Sequence, residues 1–272
     1  MSDWLVDAED GAGMQLARVI VNRLWHHHFG RGIVKTPNDF GELGARPSHP
    51  QLLDGLARQL IDNGWKLKPM HRLILTSATY RQTGAPPDAA GLEVDAENIW
   101  LWHRRPQRLE AEAIRDHYLS VAGVLKPELF GPAISIGNYR KSEEDRPDHW
   151  RRSIYLQVHR AVRHPTLGLF DVPNSERSVG ARSTSAAPDG ALFALNAPLT
   201  WTLAEHFAQR LTAEAGSEPD RLIEQAWLLA LARKPDPEER KIGLDWLSSG
   251  GDRALVEYAH IVMGLNEFIY VH

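Results

Sequence analysis

Along most of this chain the apolar residues recur at helical spacing. From Gly13 to His28 the series Leu16, Val19, Ile20 and Leu24 is joined by Val21, Trp25 and Phe29 on the remaining circumference, which predicts a helix covered on most sides. Gly30 and Gly32 end it, and Pro37, Gly41, Gly44, Pro47 and Pro50 predict an ordered, turn-rich loop. Ser48-His49-Pro50-Gln51 reads as a capping box opening the clearest helix, where Leu52, Leu53, Leu56, Ala57, Leu60 and Ile61 repeat until Asn63-Gly64. A further helix begins near Pro69 and carries Leu73, Ile74 and Ala78 to Tyr80-Arg81. Beyond Pro86-Pro87 another spans Arg108 to Gly123, with Ala111, Ile114, Tyr118 and Val121 on one seam and Arg108, Glu112, Arg115 and Asp116 on the other side.

Between Lys126 and Arg182 glycine, proline and charge are dense. The one extended run is Ser153 to Val158, which reads as a short strand. Long irregular segments in compact domains are commonly functional, so a ligand pocket is expected in this region. Helical pattern resumes from Gly190 to Ala215 with a break at Asn196-Ala197-Pro198. It continues over Asp220 to Ala232, at an Asp236-Pro237-Glu238-Glu239 start, and over Arg253 to Asn266 ahead of Phe268-Ile269-Tyr270-Val271. The expected fold is mainly α: a single domain over residues 1–272 with about eight helices, a small β element near Ile154 and a loop-rich middle.

Polar residues inside the first rod sharpen the picture. Arg18 and Asn22 lie one turn apart on a largely buried cylinder, and a buried guanidinium must find an acceptor, so an acidic partner elsewhere in the fold is expected. The consecutive His26, His27 and His28 point about 100° apart around a helix and cannot converge on one ion; they suit the negative end of the helix instead.

Composition narrows the classes. A chain of 272 residues that is 43% hydrophobic and 24% charged can bury one large or two small cores. Its net charge of −4 provides no general basic footprint for nucleic acid. With no cysteine there are no disulfides, thiolate zinc sites, iron–sulfur clusters or haem attached through Cys-x-x-Cys-His, and neither cofactor nor metal is expected. No stretch approaches the length of a membrane span, and Met1-Ser2-Asp3-Trp4 lacks the features of a secretory signal. Nucleotide-binding glycine loops, a Gly-x-Ser-x-Gly elbow and an EF-hand loop are all missing.

One run stands apart: Arg18-Val19-Ile20-Val21-Asn22-Arg23-Leu24-Trp25-His26-His27-His28-Phe29-Gly30-Arg31-Gly32. Thr36-Pro37-Asn38-Asp39-Phe40-Gly41, His49-Pro50-Gln51-Leu52-Leu53-Asp54, Ser77-Ala78-Thr79-Tyr80-Arg81, Arg108 to Asp116, Arg152-Ser153-Ile154-Tyr155, Phe170-Asp171, Leu195-Asn196 and Asn266 to Tyr270 follow in order. Together they resemble a planctomycete C-terminal domain of unknown function found downstream of planctomycete cytochrome c-like domains in large exported proteins. The resemblance covers nearly the whole chain. It implies a truncated or separately encoded copy, an exported setting and a cytochrome c-like protein or domain as partner, with any haem supplied by another chain. Near Gly131-Pro132-Ala133, where the family often has paired glycines, this chain has Phe130-Gly131, which puts a glycine-dependent turn in question.

Two roles from different classes are therefore expected, with a third kept beside them. The first is a non-catalytic helical partner or scaffold of an exported cytochrome-type protein. Among the nine tryptophans, Trp100, Trp102, Trp150 and Trp201 are candidates for a binding face, although aromatics at helical spacing are more often core. The second is an enzyme or binding domain for extracellular polymers or anionic ligands. Its polar cluster draws on Arg23, Arg81, Glu112, Arg115, Asp116, Arg152, Tyr155, Asp171, Asn196 and Glu267, with Arg177 and Arg182 as further anion contacts. The same residues serve equally as ion pairs that hold helices in register. The third role is haem-contacting electron transfer, with His27, His28 or Met70 as contacts.

Overall fold

The computed structural model describes residues 2–82, 84, 88–135, 146–160, 162–182 and 189–271. The Pro86-Pro87 stretch lies outside them. The protein is mainly α, with thirteen helices and one two-stranded sheet among the described residues. The chain divides into two compact units, the first running to Gln107 and including Val179–Ala181, the second comprising Arg108–Ser178 and Arg182–Val271.

The first unit holds α1 (Ser2–Val6), α2 (Gly13–Phe29), α3 (Pro50–Asp62), α4 (Leu67–Thr76) and α5 (Ala89–Val94). Helix α2 turns Ala17, Val21 and Trp25 toward Leu53, Leu56, Ala57 and Leu60 of α3 and Met70 and Ile74 of α4, with Ile33 and Val34 completing the core. Leu53, Leu56, Ala57 and Leu60 recur at three- and four-residue steps, so one stripe of α3 is buried while Gln51, Arg58 and Gln59 remain in water.

Gly30 ends α2 in the left-handed region at φ 76°, its amide donating to the His26 carbonyl at 2.7 Å. The chain then reverses onto the helix through Asn22, which is wholly buried. Its Nδ2 donates to the Val34 carbonyl at 3.1 Å, and its Oδ1 accepts from the Val34 amide at 2.8 Å. A Cβ on Gly32 would stand 2.6 Å from the Val34 carbonyl oxygen and 2.8 Å from Asn22 Nδ2. Glycine there is a steric requirement of the clamp.

Arg18 does find its acid: Nη2 and Nε reach the same Oδ1 of Asp54 at 2.6 and 2.7 Å. Each side chain of the pair is a little over one third exposed, because Arg18 lies beside the buried stripe of Ala17, Val21 and Trp25 on α2 and not on it. The expected Ser48 capping box does not form. His49 occupies the position before α3 without a side-chain cap, and the Ser48 hydroxyl donates to the Ile33 carbonyl at 3.2 Å. Pro50 at the first helical position has no amide to cap. Helix α4 stops at Thr76, short of Tyr80-Arg81, where the Ser77 hydroxyl turns back to the Ile74 carbonyl at 2.7 Å and accepts from the Tyr80 amide at 3.1 Å.

The second unit begins with α6 (Ala111–Val121) and continues through α7 (Pro165–Gly168), α8 (Asp189–Asn196), α9 (Pro198–Ala215), α10 (Pro219–Leu231), α11 (Pro237–Ser249), α12 (Ala254–Met263) and α13 (Asn266–Ile269). Helix α9 packs on α12, α10 on both α9 and α11, and α6 on α9. Ile114, Leu119, Leu203, Phe207, Leu211, Ile223 and Phe268 form the driest part of this core. Two of its buried polar side chains are paired with groups inside the core: the Tyr118 hydroxyl donates to the Met263 carbonyl at 3.1 Å, and Trp227 Nε1 donates to the Tyr258 hydroxyl at 2.8 Å. Proline is the first residue of α9, α10 and α11, and Asp236 with Glu239 forms a true capping box ahead of α11.

The expected strand at Ser153–Val158 is not one. Ser153–Tyr155 is a turn of 3-10 helix, and Ile154 and Val158 are 76% and 78% exposed. Alternation suggested a half-buried strand, but the Ser153 amide and hydroxyl are both captured by the Asp116 carboxylate, each at 2.7 Å, which bends the chain out of extension. Only isolated bridges remain in this stretch, Lys126 with Arg151 and Ile134 with Leu156. The sheet is instead β1 (Gln107–Arg108) paired with β2 (Tyr270–Val271), which is why α6 starts after Arg108. The helix number exceeds the expected eight because α1, α5, α7 and α13 are four to six residues long, too short to leave a period in the sequence.

Asn22→Ala should lower unfolding free energy by about 2–3 kcal/mol in urea titration, since it strands both Val34 backbone groups away from water. Gly32→Ala should cost a similar amount through overlap alone.

Candidate functional site

The centre of the second unit's polar architecture is Arg115, whose side chain is 1% exposed. Helix α6 carries it on the side facing the loop-rich segment. There Nη1 donates to the Arg151 carbonyl at 3.0 Å and to the Ser153 hydroxyl at 3.1 Å, and Nη2 donates to the His149 carbonyl at 2.8 Å. The next residue, Asp116, holds the Ser153 amide and hydroxyl, with the Arg115 and Arg152 guanidinium groups 3.7 and 3.9 Å away. One turn of α6 thus fastens residues 149–153 from both charge signs.

The other expected residues fall into separate pairs. Glu112 takes two bonds from Arg182, at 2.6 and 3.1 Å, with Glu110 a further 3.5 Å contact of the same guanidinium. Burial acts to raise the Glu112 carboxyl, but the Arg182 bonds, a backbone amide and the Arg182 charge outweigh it and hold the group below its ordinary value. Asp171, itself at φ 60°, accepts from Arg108 Nη2 at 2.6 Å. Glu267 binds Arg233, which Glu239 holds bidentately with both bonds at 2.8 Å. Asn196 Nδ2 folds back to the Leu192 carbonyl at 3.1 Å on the surface. Arg23 and Arg81 belong to the first unit; Arg23 donates to Asn38 Oδ1 at 3.2 Å, and Arg81 is exposed after α4. Arg115, Asp116 and Arg152 are therefore the expected residues brought within contact of one another.

Tyr155 serves a neighbouring turn. Its hydroxyl accepts from the Phe130 amide at 2.9 Å, while Arg151 donates to the Phe130 carbonyl at 2.6 Å and lies 4.2 Å over the Tyr155 ring. Phe130 is left-handed at φ 66° and Gly131 follows at φ 88°, so the turn has paired positive φ with an aromatic residue in the first place. Leu129 and Phe130 are 61% and 81% exposed.

Of the tryptophans, Trp150 is buried at 5% exposure, Trp201 stacks on His260 with centroids 3.9 Å apart, and Trp100 is 68% exposed against His49. Met70 is in the core of the first unit at 1% exposure, and His28 Nε2 is hydrogen-bonded to His71 Nδ1 at 2.8 Å. Neither is presented as an open ligand. Among the described residues no cluster of histidines and carboxylates could hold a metal ion, and no helix is long and apolar enough to cross a membrane.

A recess that sequence reasoning missed lies in the first unit. It is small, with room for about one water-sized group, opens to solvent, and is lined by His28, Tyr80, Asn98, His103, Arg104 and Gln107 among others. The segment that builds one wall is fixed by Asp95, whose carboxylate accepts from the Ile99 and Trp100 amides at 2.9 and 2.8 Å. Asn98 and Leu101 adopt φ 48° and 53°, and Asn98 Nδ2 ties the loop to the His103 carbonyl at 2.7 Å. Arg104 is held by the Tyr80 carbonyl at 2.8 Å and lies 4.3 Å over the Tyr80 ring. Burial pushes the His28 and His103 imidazoles below their ordinary value, with neighbouring positive charge adding to the shift. The only sequence sign was the density of aromatic and cationic residues in Trp100-Leu101-Trp102-His103-Arg104-Arg105.

These features define a helical protein of two compact units in which carboxylates and arginines fasten loops to helices. Residues 1–247 match the PSD1 family, described as "Protein of unknown function (DUF1553)", and the chain belongs to that family. No curated protein and no solved structure matches it.

Arg115→Leu should destabilise the fold by about 3 kcal/mol in urea, because two carbonyls and a hydroxyl lose their buried donor. Since Glu112 has a lowered carboxyl in the folded state, its pair with Arg182 stabilises fully above the unfolded carboxylate value and is lost as pH falls through the folded one. Thermal melts from pH 7 down to 3 should show Glu112→Gln losing less stability than the native chain. Phe130→Gly should gain about 0.5–1 kcal/mol in urea by removing the left-handed Cβ overlap, with no packing lost at so exposed a site.

Proposed function

We propose that this chain is a non-catalytic helical scaffold that docks a cytochrome c-like protein or domain in an exported assembly. The observation that carries the reading is the closure of the expected reactive groups. Glu112, Asp116, Asp171 and Glu267 each bind an arginine or a backbone amide at 2.6–2.8 Å at their shortest contact. A general acid or base works by exchanging protons with a reacting group it can reach, and carboxylates committed to guanidinium partners are poor at it. Ion pairs of this type hold elements in register.

A scaffold needs a contact surface. Residues 126–134 and 151–157 are joined at Lys126–Arg151 and Ile134–Leu156, and these stretches carry Leu129, Phe130 and Ile154 in water. The Tyr155 and Arg151 bonds hold the Phe130 turn in a conformation unfavourable for an aromatic residue, which presents its ring without an ordering cost on binding. The resemblance to cytochrome-associated domains names the class of partner, and the chain's net charge of −4 favours one of opposite sign.

Calorimetric titration of the full chain with a purified c-type cytochrome of the same organism should give saturable binding, weakened about tenfold or more in Phe130→Ser/Ile154→Ser. Absence of binding at the highest attainable concentrations, or equal affinity for the double variant, would overturn the proposal.

A further inference from the structure

The recess of the first unit is not used by the scaffold reading, and its chemistry is one-sided. None of its lining residues is acidic, while Arg104 and Arg105 are cationic and His28, His103, Asn98 and Gln107 add polar nitrogens. Nearby carboxylates are committed elsewhere: Asp95 to the Ile99 and Trp100 amides, and Glu97 to Arg31 at 2.7 Å. Two polar atoms on its walls, Arg104 Nε and His103 Nδ1, are buried with no hydrogen-bond partner. Native interiors seldom leave such groups unpaired, since each costs on the order of 1–3 kcal/mol.

The backbone there is unfavourable as well. Asn98 and Leu101 line the same recess in left-handed conformations, and for leucine that conformation costs roughly 1–2 kcal/mol. Strain and unpartnered polar atoms in one wall are a pattern of ligand-holding loops. The floor is narrow, with space for about one water-sized group, whereas the mouth is open.

We infer that this recess is a binding site for an oxyanion group, a carboxylate or a tetrahedral phosphate or sulfate, which places one oxygen at its floor between Arg104 and His103 and leaves the rest of its ligand at the mouth. An oxygen entering there meets the Arg104 Nε–H, which no protein acceptor occupies, and His103 Nδ1, which donates to it in the Nδ1–H tautomer. The Arg104 Nη1 bond to Tyr80 and the ring beneath the guanidinium hold the cation in place, and Gln107, which donates to the His28 carbonyl at 3.3 Å, is part of the same lining. Arginine suits the role because its Nε–H remains available while its Nη groups are anchored.

The test is a titration of the isotopically labelled full chain, at constant ionic strength, with inorganic phosphate, sulfate and acetate in separate arms. The Arg104 Nε–H and His103 imidazole resonances should shift saturably, with half-saturation on the order of millimolar. The arm that saturates first identifies a tetrahedral or a carboxylate ligand. His103→Gln and Arg104→Lys should each raise the half-saturation concentration about tenfold or more. Because Arg104 also holds Tyr80, His103→Gln is the decisive variant if Arg104→Lys fails to fold. Shifts that rise linearly with every salt, or saturable binding unchanged in His103→Gln, would overturn the inference.

Discussion

A guanidinium withdrawn almost wholly from water dictates the arrangement of the second unit. Arg115 projects from α6, a regular helix, into a segment of little regular structure, and its acceptors are mostly main-chain carbonyls. A carbonyl cannot be exchanged by side-chain rotation, so meeting the demand of one cation fixes the backbone path at His149 and Arg151. Asp116 then takes the Ser153 amide, so adjacent helical residues of opposite charge grip acceptor and donor of the same strand of chain. The short 3-10 turn at Ser153–Tyr155, the hydroxyl of Tyr155 under the Phe130 amide and the exposed Ile154 all follow from that grip. Irregular backbone close to a core is stable only when its polar groups are accounted for, and here helix α6 does the accounting.

The first unit meets the same constraint with a neutral group. Asn22 presents one donor and one acceptor in the geometry of a peptide, so Val34 pairs with it as it would with a neighbouring strand. Gly32 gives the chain room to approach, and Gly30 turns it there. Three residues spread over a dozen positions thus form one device, and its parts fall within the run on which the family resemblance rests.

Much of this was legible in the sequence and some was not, for identifiable reasons. Helices α2, α3, α9 and α10 bury a continuous stripe, and a stripe leaves a period; their extents were readable to within a few residues. Gly30 as a terminator and Asp236 as a cap were equally visible, because each acts on its own neighbourhood. The Ser48 box failed because α3 begins one residue later, with His49 in the cap position, and the Ile33 carbonyl takes the Ser48 hydroxyl. Ser153–Val158 was misread because its geometry is imposed from Asp116, thirty-seven positions away, with no trace in local alternation. Residue types alone marked the candidates for a polar cluster, but which carboxylate meets which arginine is a tertiary fact: Arg182, not Arg115, binds Glu112. The recess escaped notice because its walls come from α2, the turn after α4 and the loop past α5, brought together only on folding.

The prolines that open α9, α10 and α11 carry a consequence for how this body can be assembled. A nascent chain rich in helix formers is prone to propagate through its junctions into one long rod, burying nothing. Pro198, Pro219 and Pro237 lack the amide proton such propagation needs, and their rings exclude helical backbone just upstream. Each corner is therefore written into covalent structure before any tertiary contact exists. The helices are thereby cut to length, and α10 can pack on both α9 and α11 instead of running on from either.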